Sequence, residues 1–275
     1  MDTLYFFLVI LVIIILVAVT LLIMRTLLLP YVINESVDIN LKVSVINLPR
    51  RRDRMREFSK HYSLPIKYQV IDAVDGKNIN VQELHEKGIL GDAGLQSIMN
   101  MKQGILRKYH YELGTPGAIG CSLSHIRIWK NVVDSTDIEN MLVFEDDALV
   151  MGITLRNIAS RLADLPANWH IYMIGQPHTV LEGVPVPNKK NMYQITRFCG
   201  THAYIINRNA ASWLLTNGKL FPINQQIDSH LSELASDHGL VVYLHMGQTL
   251  YGSFGGHSDI QMGQNTQNGR MPLQK

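Results

Sequence analysis

Residues 141–148 have the sequence Met141-Leu142-Val143-Phe144-Glu145-Asp146-Asp147-Ala148. The four apolar residues predict a strand that is buried on both faces, as in a parallel sheet. Three carboxylates follow where this strand leaves the sheet, and ligands of open α/β sheets bind beyond the carboxyl ends of the strands. Adjacent carboxylates repel one another, and a divalent cation that bridges them to substrate phosphates relieves the repulsion. The pattern fits either a metal site or a solvated acidic turn.

Strands and helices alternate on both sides of this acidic stretch. Strands are predicted at 42–48, 66–71, 169–174, 199–206 and 240–244. Helices are predicted at 51–61, 154–164 and 209–215, and a last helix is predicted to open within 221–228 and to run to about 235. Residues 176–198 combine prolines and glycines with polar residues and predict an excursion or a hairpin. This alternation favours one α/β domain with a largely parallel central sheet.

The amino-terminal segment Leu4–Met24 is apolar and uncharged. A transmembrane helix needs about 20 such residues, whereas the core of a signal peptide has only about 7–15. We therefore expect a membrane anchor at residues 1–33, with a single transmembrane helix at about 4–24. A polar stem at 34–42 follows it, and a flexible tail is expected at 262–275.

Neither the charges nor the cysteines decide the side of the membrane on which the body lies. Arg25 favours a cytosolic body by the positive-inside rule, whereas the sequon Asn34-Glu35-Ser36 is usable only in the lumen. Cys121 and Cys199 allow at most one disulfide and predict no disulfide framework. The net charge of +2 gives no indication of a nucleic-acid-binding protein.

A basic turn follows the first predicted strand. The strand ends at Asn47 and Leu48, and Arg50, Arg52 and Arg54 lie in the turn and the helix after it. A strand that leads into a basic helix start suits phosphate or nucleotide binding, because amide and guanidinium donors converge there. A solvated helix face is the alternative. The run is not a P-loop, because it lacks the glycines and the Gly-Lys-Ser/Thr of that motif.

A run of small residues precedes the acidic strand and has the sequence Thr115-Pro116-Gly117-Ala118-Ile119-Gly120. Small residues permit close approach of the backbone, so that a packing role and a ligand contact are both open. The run leads into a helix that contains Ser124 and His125. Adjacent residues point in different directions on a helix, which disfavours a catalytic dyad of these two side chains.

Several of these runs together resemble glycosyltransferase family 25, which includes bacterial lipopolysaccharide galactosyltransferases and procollagen hydroxylysine galactosyltransferases. The resemblance covers about residues 43–261 and rests on the order and spacing of its parts. The parts are Ile46-Asn47-Leu48 with Arg52 and Arg54, Asp72-Ala73-Val74-Asp75-Gly76, Thr115-Pro116-Gly117, Gly120-Cys121, Ser124-His125 with Trp129, Phe144-Glu145-Asp146-Asp147-Ala148, Gly200-Thr201-His202-Ala203-Tyr204, Ile227-Asp228 and Ser258-Asp259-Ile260. The family commonly has an acidic residue at the position of Ala118.

The resemblance implies a GT-A-like nucleotide-sugar-binding fold and transfer of a sugar with inversion, usually galactose from UDP-galactose. It also implies a divalent cation, which we expect to be Mn²⁺ held by Glu145 and Asp147. Contacts to the UDP-sugar are expected from Asn47, Leu48, Arg52, Arg54, Ala73, Asp75, Ser124, His125, Glu145 and Asp146.

Two further roles are assigned on fewer residues. Inverting transfer needs a base for the acceptor hydroxyl, and Asp228 is the expected base, with a helix N-cap as its alternative role. His245, after the last strand, is the expected third metal ligand, with His257 as its competitor.

Two other functions would use some of the same features. A metal-dependent phosphoesterase also places carboxylates at strand ends, but its further metal ligands are not evident near the first strand. An inactive, membrane-anchored protein of this fold that binds sugars is favoured by Ala118 and disfavoured by the intact acidic triplet. The expected partners are a nucleotide-sugar donor, a glycan or glycoprotein acceptor and, through the amino-terminal helix, the membrane.

Overall fold

A computed structural model gives the structure of the chain in two compact units, Met1–Ile39 and Asn40–Lys275. The residues that it describes are 10–23, 39–150, 152–174, 179–246 and 251–253. In the first unit, residues 10–23 form helix α1. All the elements described below belong to the second unit.

The expected membrane anchor falls only partly on described residues, since 4–9 and 24 lie outside them. Within the described ranges, no helix has both the length and the apolar character that crossing a membrane requires. Of the expected stem, residues 34–38 lie outside the described part, and its last two residues already belong to the first strand. His257, the run Ser258-Asp259-Ile260 and the expected tail 262–275 also lie outside it.

The second unit contains both strands and helices, but in its later half four strands follow one another without a helix between them. The strands are β1 (Leu41–Asn47), β2 (Tyr68–Asp72), β3 (Asn140–Glu145), β4 (Ala148–Val150), β5 (Ile171–Met173), β6 (Thr179–Pro185), β7 (Met192–Cys199), β8 (Ala203–Asn207), β9 (Val242–His245) and β10 (Tyr251–Ser253). The helices are α2 (Arg52–His61), α3 (Val81–Glu86), α4 (Asp92–Lys102), α5 (Pro116–Asp134), α6 (Leu155–Asp164), α7 (Arg208–Thr216) and α8 (Ile227–Asp237), with a 3-10 turn at Gly76–Asn78.

Eight strands form one mixed sheet in the order β2-β1-β3-β8-β5-β9-β7-β6. β1 is parallel to β2 and β3, and β5 is parallel to β9. The other four neighbouring pairs are antiparallel, so the expectation of a largely parallel sheet is wrong. Apolar runs do not reveal the direction of a strand: β8 is antiparallel to both neighbours, yet Ala203–Ile206 is buried throughout. The predicted excursion at 176–198 is the β6–β7 hairpin where it is described.

The directions of the strands bring the carboxyl ends of β1, β2, β3, β5 and β9 to one edge of the sheet. Helix α5 packs on the sheet and buries Ile128, Trp129 and Val132 in the main apolar core, where they join Val143 and Tyr204. The amino-terminal turn of α5 thereby lies beside the edge where β1, β2 and β3 end.

The small residues of α5 permit close contact with the loop after β2. A Cβ atom on Gly120 would lie 2.3 Å from the carbonyl oxygen of Val74, and one on Gly76 would lie 2.4 Å from the amide nitrogen of Gly117. The Ser124 hydroxyl holds the same loop, because it accepts a hydrogen bond from the Val74 amide (2.9 Å) and donates one to the Gly120 carbonyl (2.6 Å). The packing role considered for this run is confirmed for Gly120.

Replacing Gly120 with alanine should therefore displace the Val74 loop and lower the free energy of unfolding by roughly 1–3 kcal/mol, the usual cost of overpacking. Urea unfolding of the purified protein measures the change. Gly114→Ala is the matched control, because the atoms nearest to the added methyl group belong to the flexible Arg107 side chain, at 3.1 Å or more. Equal unfolding midpoints for Gly120→Ala and the unmodified protein would contradict the close-contact argument.

Candidate active site

A cavity of about 390 Å³ opens at the edge of the sheet where β1, β2 and β3 end. This volume falls within the usual range of small-molecule sites, about 300–1,000 Å³. Its wall combines the basic turn after β1, the loop after β2, the start of α5 and the acidic end of β3. The polar and charged residues of the wall are Arg50, Arg54, Asp75, Lys77, Thr115, Cys121, Ser124, His125, Glu145, Asp146 and Asp147. Leu48 and Ala73, both expected as donor contacts, also line it.

Two arginines reach the cavity from the basic turn and from α2. Arg50 binds Asp75 with Nε at 2.7 Å and Nη2 at 3.4 Å, and this hydrogen bonding lowers the pKa of Asp75. Arg54 donates from Nη1 to Asp146 at 2.9 Å and lies 3.6 Å from Asp147. Arg52, expected as a donor contact, is exposed and is not among the lining residues. Two helical steps rotate a side chain by about 200°, which turns Arg52 away from the face of Arg54.

Asp146 is held by two donors and joins β3 to β1 and α2. The Asn47 side-chain amide donates to its Oδ2 at 2.6 Å, and Arg54 donates to its Oδ1. Burial raises the pKa of Asp146, and the two donors offset this effect only in part. Asn47 is itself buried and does not line the cavity, so it positions Asp146 rather than contacting a ligand there.

Glu145 is half-buried among hydrogen-bond donors and histidines. Its Oε1 accepts a hydrogen bond from the Thr201 hydroxyl at 2.7 Å and lies 3.5 Å from Nε2 of His125. Burial by itself would raise the pKa of Glu145, but His202, His125 and Thr201 outweigh it and lower the pKa to about 2. The Glu145 side chain is therefore a carboxylate throughout the physiological pH range.

Asp147 is the least compensated of the three carboxylates. Burial and the neighbouring charge of Glu145 raise its pKa to about 6, against the opposing effects of His202 and Arg54. Its Oδ1 is buried and accepts no hydrogen bond from any residue that the structure describes. A buried carboxylate oxygen that lacks a donor and lies beside a second carboxylate is the arrangement that a bound cation stabilises.

The metal donors brought together here are Glu145, Asp147 and His202, whose ligand atoms all lie within 4.8 Å of one another. Two carboxylates and an imidazole suit a divalent transition metal such as Mn²⁺. Sequence reasoning missed His202, although it lies in the run Gly200–Tyr204 that carried the family resemblance. The signal available in the sequence was its place in that run, two residues after Gly200.

His245 does not belong to this cluster, so its expected role as a ligand beside Glu145 and Asp147 is wrong. It lies on β9, three strand spacings from β3, which corresponds to about 14 Å. Its Nδ1 contacts the Tyr172 hydroxyl at 3.0 Å, and its Nε2 lies 4.0 Å from Asp164.

His125 is oriented by a buried hydrogen-bonded chain. The Trp129 indole donates to the Tyr204 hydroxyl at 3.0 Å, and that hydroxyl lies 2.8 Å from Nδ1 of His125. Burial raises the pKa of Tyr204, so its hydroxyl keeps its proton. The contact with Tyr204 orients the imidazole so that Nε2 of His125 lies toward Glu145. Ser124 points elsewhere, to Val74 and Gly120, and forms no dyad with His125.

Asp228 lies outside the wall of the cavity but close to the acidic cluster. Its Oδ2 accepts the Gly200 amide at 2.8 Å and lies 3.5 Å from Nε2 of His110. The N-cap of α8 is Gln226, so the alternative role of Asp228 as the N-cap is wrong. Burial opposes ionisation of Asp228, but His110 and the amide donors outweigh it and lower its pKa. Because Gly200 holds Asp228 and Thr201 holds Glu145, consecutive residues anchor the two carboxylates.

Ala118 and the cysteines have simpler surroundings. Ala118 is buried in an apolar cluster with Leu113 and Ile223 and is not among the residues of the cavity wall. Cys121 and Cys199 are both free thiols, so the disulfide that the sequence allowed is not formed.

Comparison with known proteins identifies relatives of the chain. The sequence profile of glycosyltransferase family 25 (LPS biosynthesis protein) matches residues 40–231. Procollagen galactosyltransferase 1-B of Xenopus laevis is 30% identical over 193 residues, which cover 67% of this chain and 30% of the relative. Inactive glycosyltransferase 25 family member 3 of Mus musculus is 29% identical over 154 residues, 52% of this chain and 24% of the relative.

The chain belongs to glycosyltransferase family 25, because the profile matches well over half of its length. It spans about 30% of the length of the procollagen galactosyltransferases that it matches. Among solved structures, a Drosophila β-1,4-galactosyltransferase 7 mutant in complex with manganese, UDP-Gal and xylobiose has a TM-score of 0.39 and 11% identity, over 82% of this chain and 77% of that one. A TM-score this low does not establish a common fold.

The raised pKa of Asp147 leads to a stability prediction. The ordinary pKa of an aspartate is about 3.9, so the ionised side chain is less favourable in the fold than in the unfolded chain once the pH exceeds about 4. In EDTA at pH 7, Asp147→Asn should therefore raise the free energy of unfolding by roughly 1–2 kcal/mol. At pH 4 the folded carboxyl is protonated, and the gain should disappear.

Denaturant unfolding at the two pH values measures this difference. Asp237→Asn, an exposed change at the end of α8, is the matched control and should have no effect at either pH. A stability of Asp147→Asn equal to or below that of the unmodified protein at pH 7 would mean that Arg54 and His202 already compensate the charge.

Proposed function

We propose that this chain transfers a sugar from a nucleotide-sugar donor to an acceptor hydroxyl. The observation that carries the proposal is the buried Oδ1 of Asp147, which has no hydrogen-bond partner among the described residues, in a side chain that lines a cavity together with other carboxylates and two guanidinium groups. A nucleoside diphosphate with a bound cation complements both kinds of charge at once. The family membership supports the same reaction class.

Different residues of the chain would bind different parts of the donor. Arg50, Arg54 and Lys77 bring positive charge to the cavity and would bind the diphosphate oxygens. Glu145, Asp147 and His202 would hold a divalent cation, for which we propose Mn²⁺. When bound, such a cation neutralises the charge that develops on the leaving diphosphate. Asp146 would keep Arg54 in place through its 2.9 Å ion pair.

The remaining details follow the family resemblance. We propose UDP-galactose as the donor, inversion at the anomeric carbon, a GT-A-like arrangement of the donor half and a glycan, lipopolysaccharide-like or hydroxylysine acceptor. Asp228 is the proposed base, because its lowered pKa keeps it ionised. Gly200, whose amide binds Asp228, directly precedes Thr201, whose hydroxyl binds Glu145. Attachment to a membrane through residues 4–24 is a further proposal, which rests on the sequence of that segment.

Two alternatives have specific support. One relative carries the word inactive in its name, which favours a sugar-binding protein without transfer activity. A metal-dependent phosphoesterase would use the same carboxylates. Incubation of the purified protein with UDP-sugars, Mn²⁺ and a phosphoester distinguishes the three functions. Release of UDP supports the transferase, cleavage of the phosphoester supports the second alternative, and absence of both supports the first.

Asp147→Asn should lower the rate of transfer by at least about a hundredfold, since loss of one electrostatic partner of the transition state costs about 3–4 kcal/mol. The change preserves the shape of the side chain and removes its charge. UDP formation in the presence of Mn²⁺ measures the rate, with Asp237→Asn as the control. A rate within a few fold of the unmodified protein would remove the acidic strand end from the reaction.

Asp228→Asn should suppress transfer strongly and leave donor binding nearly unchanged, because a base acts on the acceptor hydroxyl rather than on the diphosphate. Asparagine also keeps an oxygen that accepts the Gly200 amide, so the loop should stay in place. Isothermal titration with UDP and Mn²⁺, beside the transfer assay, separates the two effects. Unchanged transfer in a protein that binds UDP normally would assign Asp228 a structural role.

A further inference from the structure

A second group of potential metal ligands lies outside the cavity wall. The ligand atoms of His110, Cys199 and Asp228 all lie within 4.8 Å of one another. None of the three residues lines the cavity described above. They come from three separate parts of the chain: the segment between α4 and α5, the end of β7 and the first turn of α8.

Contacts with neighbouring residues hold each of the three residues in place. Asp228 accepts hydrogen bonds from the amides of Gly200 (2.8 Å) and Ser229 (2.7 Å). The carbonyl of His110 accepts hydrogen bonds from the side chains of Arg107 (3.3 Å) and Gln226. Cys199 is the last residue of β7, where it pairs with Thr179 on β6. Side chains that neighbouring residues already orient bind a metal without a large loss of conformational entropy.

The chemistry of this group differs from that of the acidic strand end. A thiol, an imidazole and one carboxylate meet here, and His110 lies 3.5 Å from Asp228. Hydrogen bonds to Asp228 and Cys199 raise the pKa of His110 to about 10, so its two neighbours stabilise a positive charge on the imidazole. Thiolate and imidazole ligands favour zinc, whereas carboxylate-rich sites favour harder cations.

We propose that His110, Cys199 and Asp228 form a zinc site, distinct from the Glu145–Asp147–His202 group. Three protein ligands leave one position of a tetrahedral zinc ion for water. The ion replaces the proton of the His110 imidazolium and that of the Cys199 thiol, and both protons pass to solvent.

Occupation of this site has a consequence that rests on the proposed function. A zinc ion bound to Asp228 takes the carboxylate that would accept the proton of the acceptor hydroxyl. Zinc should then inhibit transfer without competing with the donor, because Arg50, Arg54 and the acidic strand end lie in the separate cavity.

Binding is tested with Co²⁺, which replaces Zn²⁺ in tetrahedral sites and shows a thiolate-to-cobalt absorption band. The purified full chain, free of donor and Mn²⁺, should show this band, and Zn²⁺ should abolish it. The band should be absent in Cys199→Ser and retained in Cys121→Ser, the other cysteine of the chain. His110→Gln should weaken Zn²⁺ binding at least about tenfold, since loss of even an outer-shell partner has that effect.

The outcomes separate the possible assignments. No cobalt band in the unmodified protein, or a band retained in Cys199→Ser, overturns the zinc site. A band lost only in Cys121→Ser assigns binding to the Cys121–His125–Glu145 group instead and also overturns it. Unaltered zinc affinity in His110→Gln removes the histidine from the site and overturns the three-ligand arrangement.

The inhibitory consequence is measured separately, as the ratio of transfer rates with and without Zn²⁺ for each variant. Zinc should lower the rate of the unmodified protein and have much less effect on that of Cys199→Ser. Equal inhibition of both proteins overturns the regulatory role of the site. The cobalt band is independent of catalysis, so failure of the zinc site and failure of the proposed function give different results.

Discussion

Three adjacent carboxylates at the end of β3 place negative charge that the surrounding elements must compensate. Burial raises the pKa of Asp146 and of Asp147, so both need compensation by the fold. Arg54 compensates Asp146 through an ion pair of 2.9 Å, and this contact also fixes α2 against the end of β3. Glu145 is compensated by Thr201 and by two histidines. Asp147 keeps an oxygen without a donor among the described residues, which leaves a place for a cation.

The loop between β7 and β8 connects the carboxylates of β3 to the group of His110, Cys199 and Asp228. Gly200 donates its amide to Asp228, and Thr201 donates its hydroxyl to Glu145. The carbonyl of the next residue, His202, accepts the Glu145 amide at 2.9 Å, and the His202 side chain joins the acidic cluster. A shift of this short loop therefore changes both carboxylate environments together. The thiol of Cys121 lies within 4.8 Å of ligand atoms of His125 and Glu145. Burial, together with the charges of Glu145, Asp228 and Asp147, raises the pKa of this thiol.

Local sequence pattern was sufficient for much of the fold. The run Met141–Phe144 is apolar on both faces and forms a central strand, and the carboxylates after it lie at the edge where the cavity opens. The starts and ends of α2, α6 and α7 fall within two residues of the prediction. Such features depend on neighbouring residues only, through periodicity and the position of the first polar group. The order of short runs along the chain was enough for the family.

The choice between residues of the same type depended on the tertiary structure. His202 and His245 both lie near strand ends, yet β8 inserts beside β3 and brings His202 to Glu145, while β9 keeps His245 three strands away. Arg52 and Arg54 differ in the phase of one helix, and only Arg54 reaches the cavity. The apolar runs of β1, β2 and β3 predict each of these strands locally. The order and direction of the strands in the sheet arise from pairing between distant segments, which local periodicity does not predict.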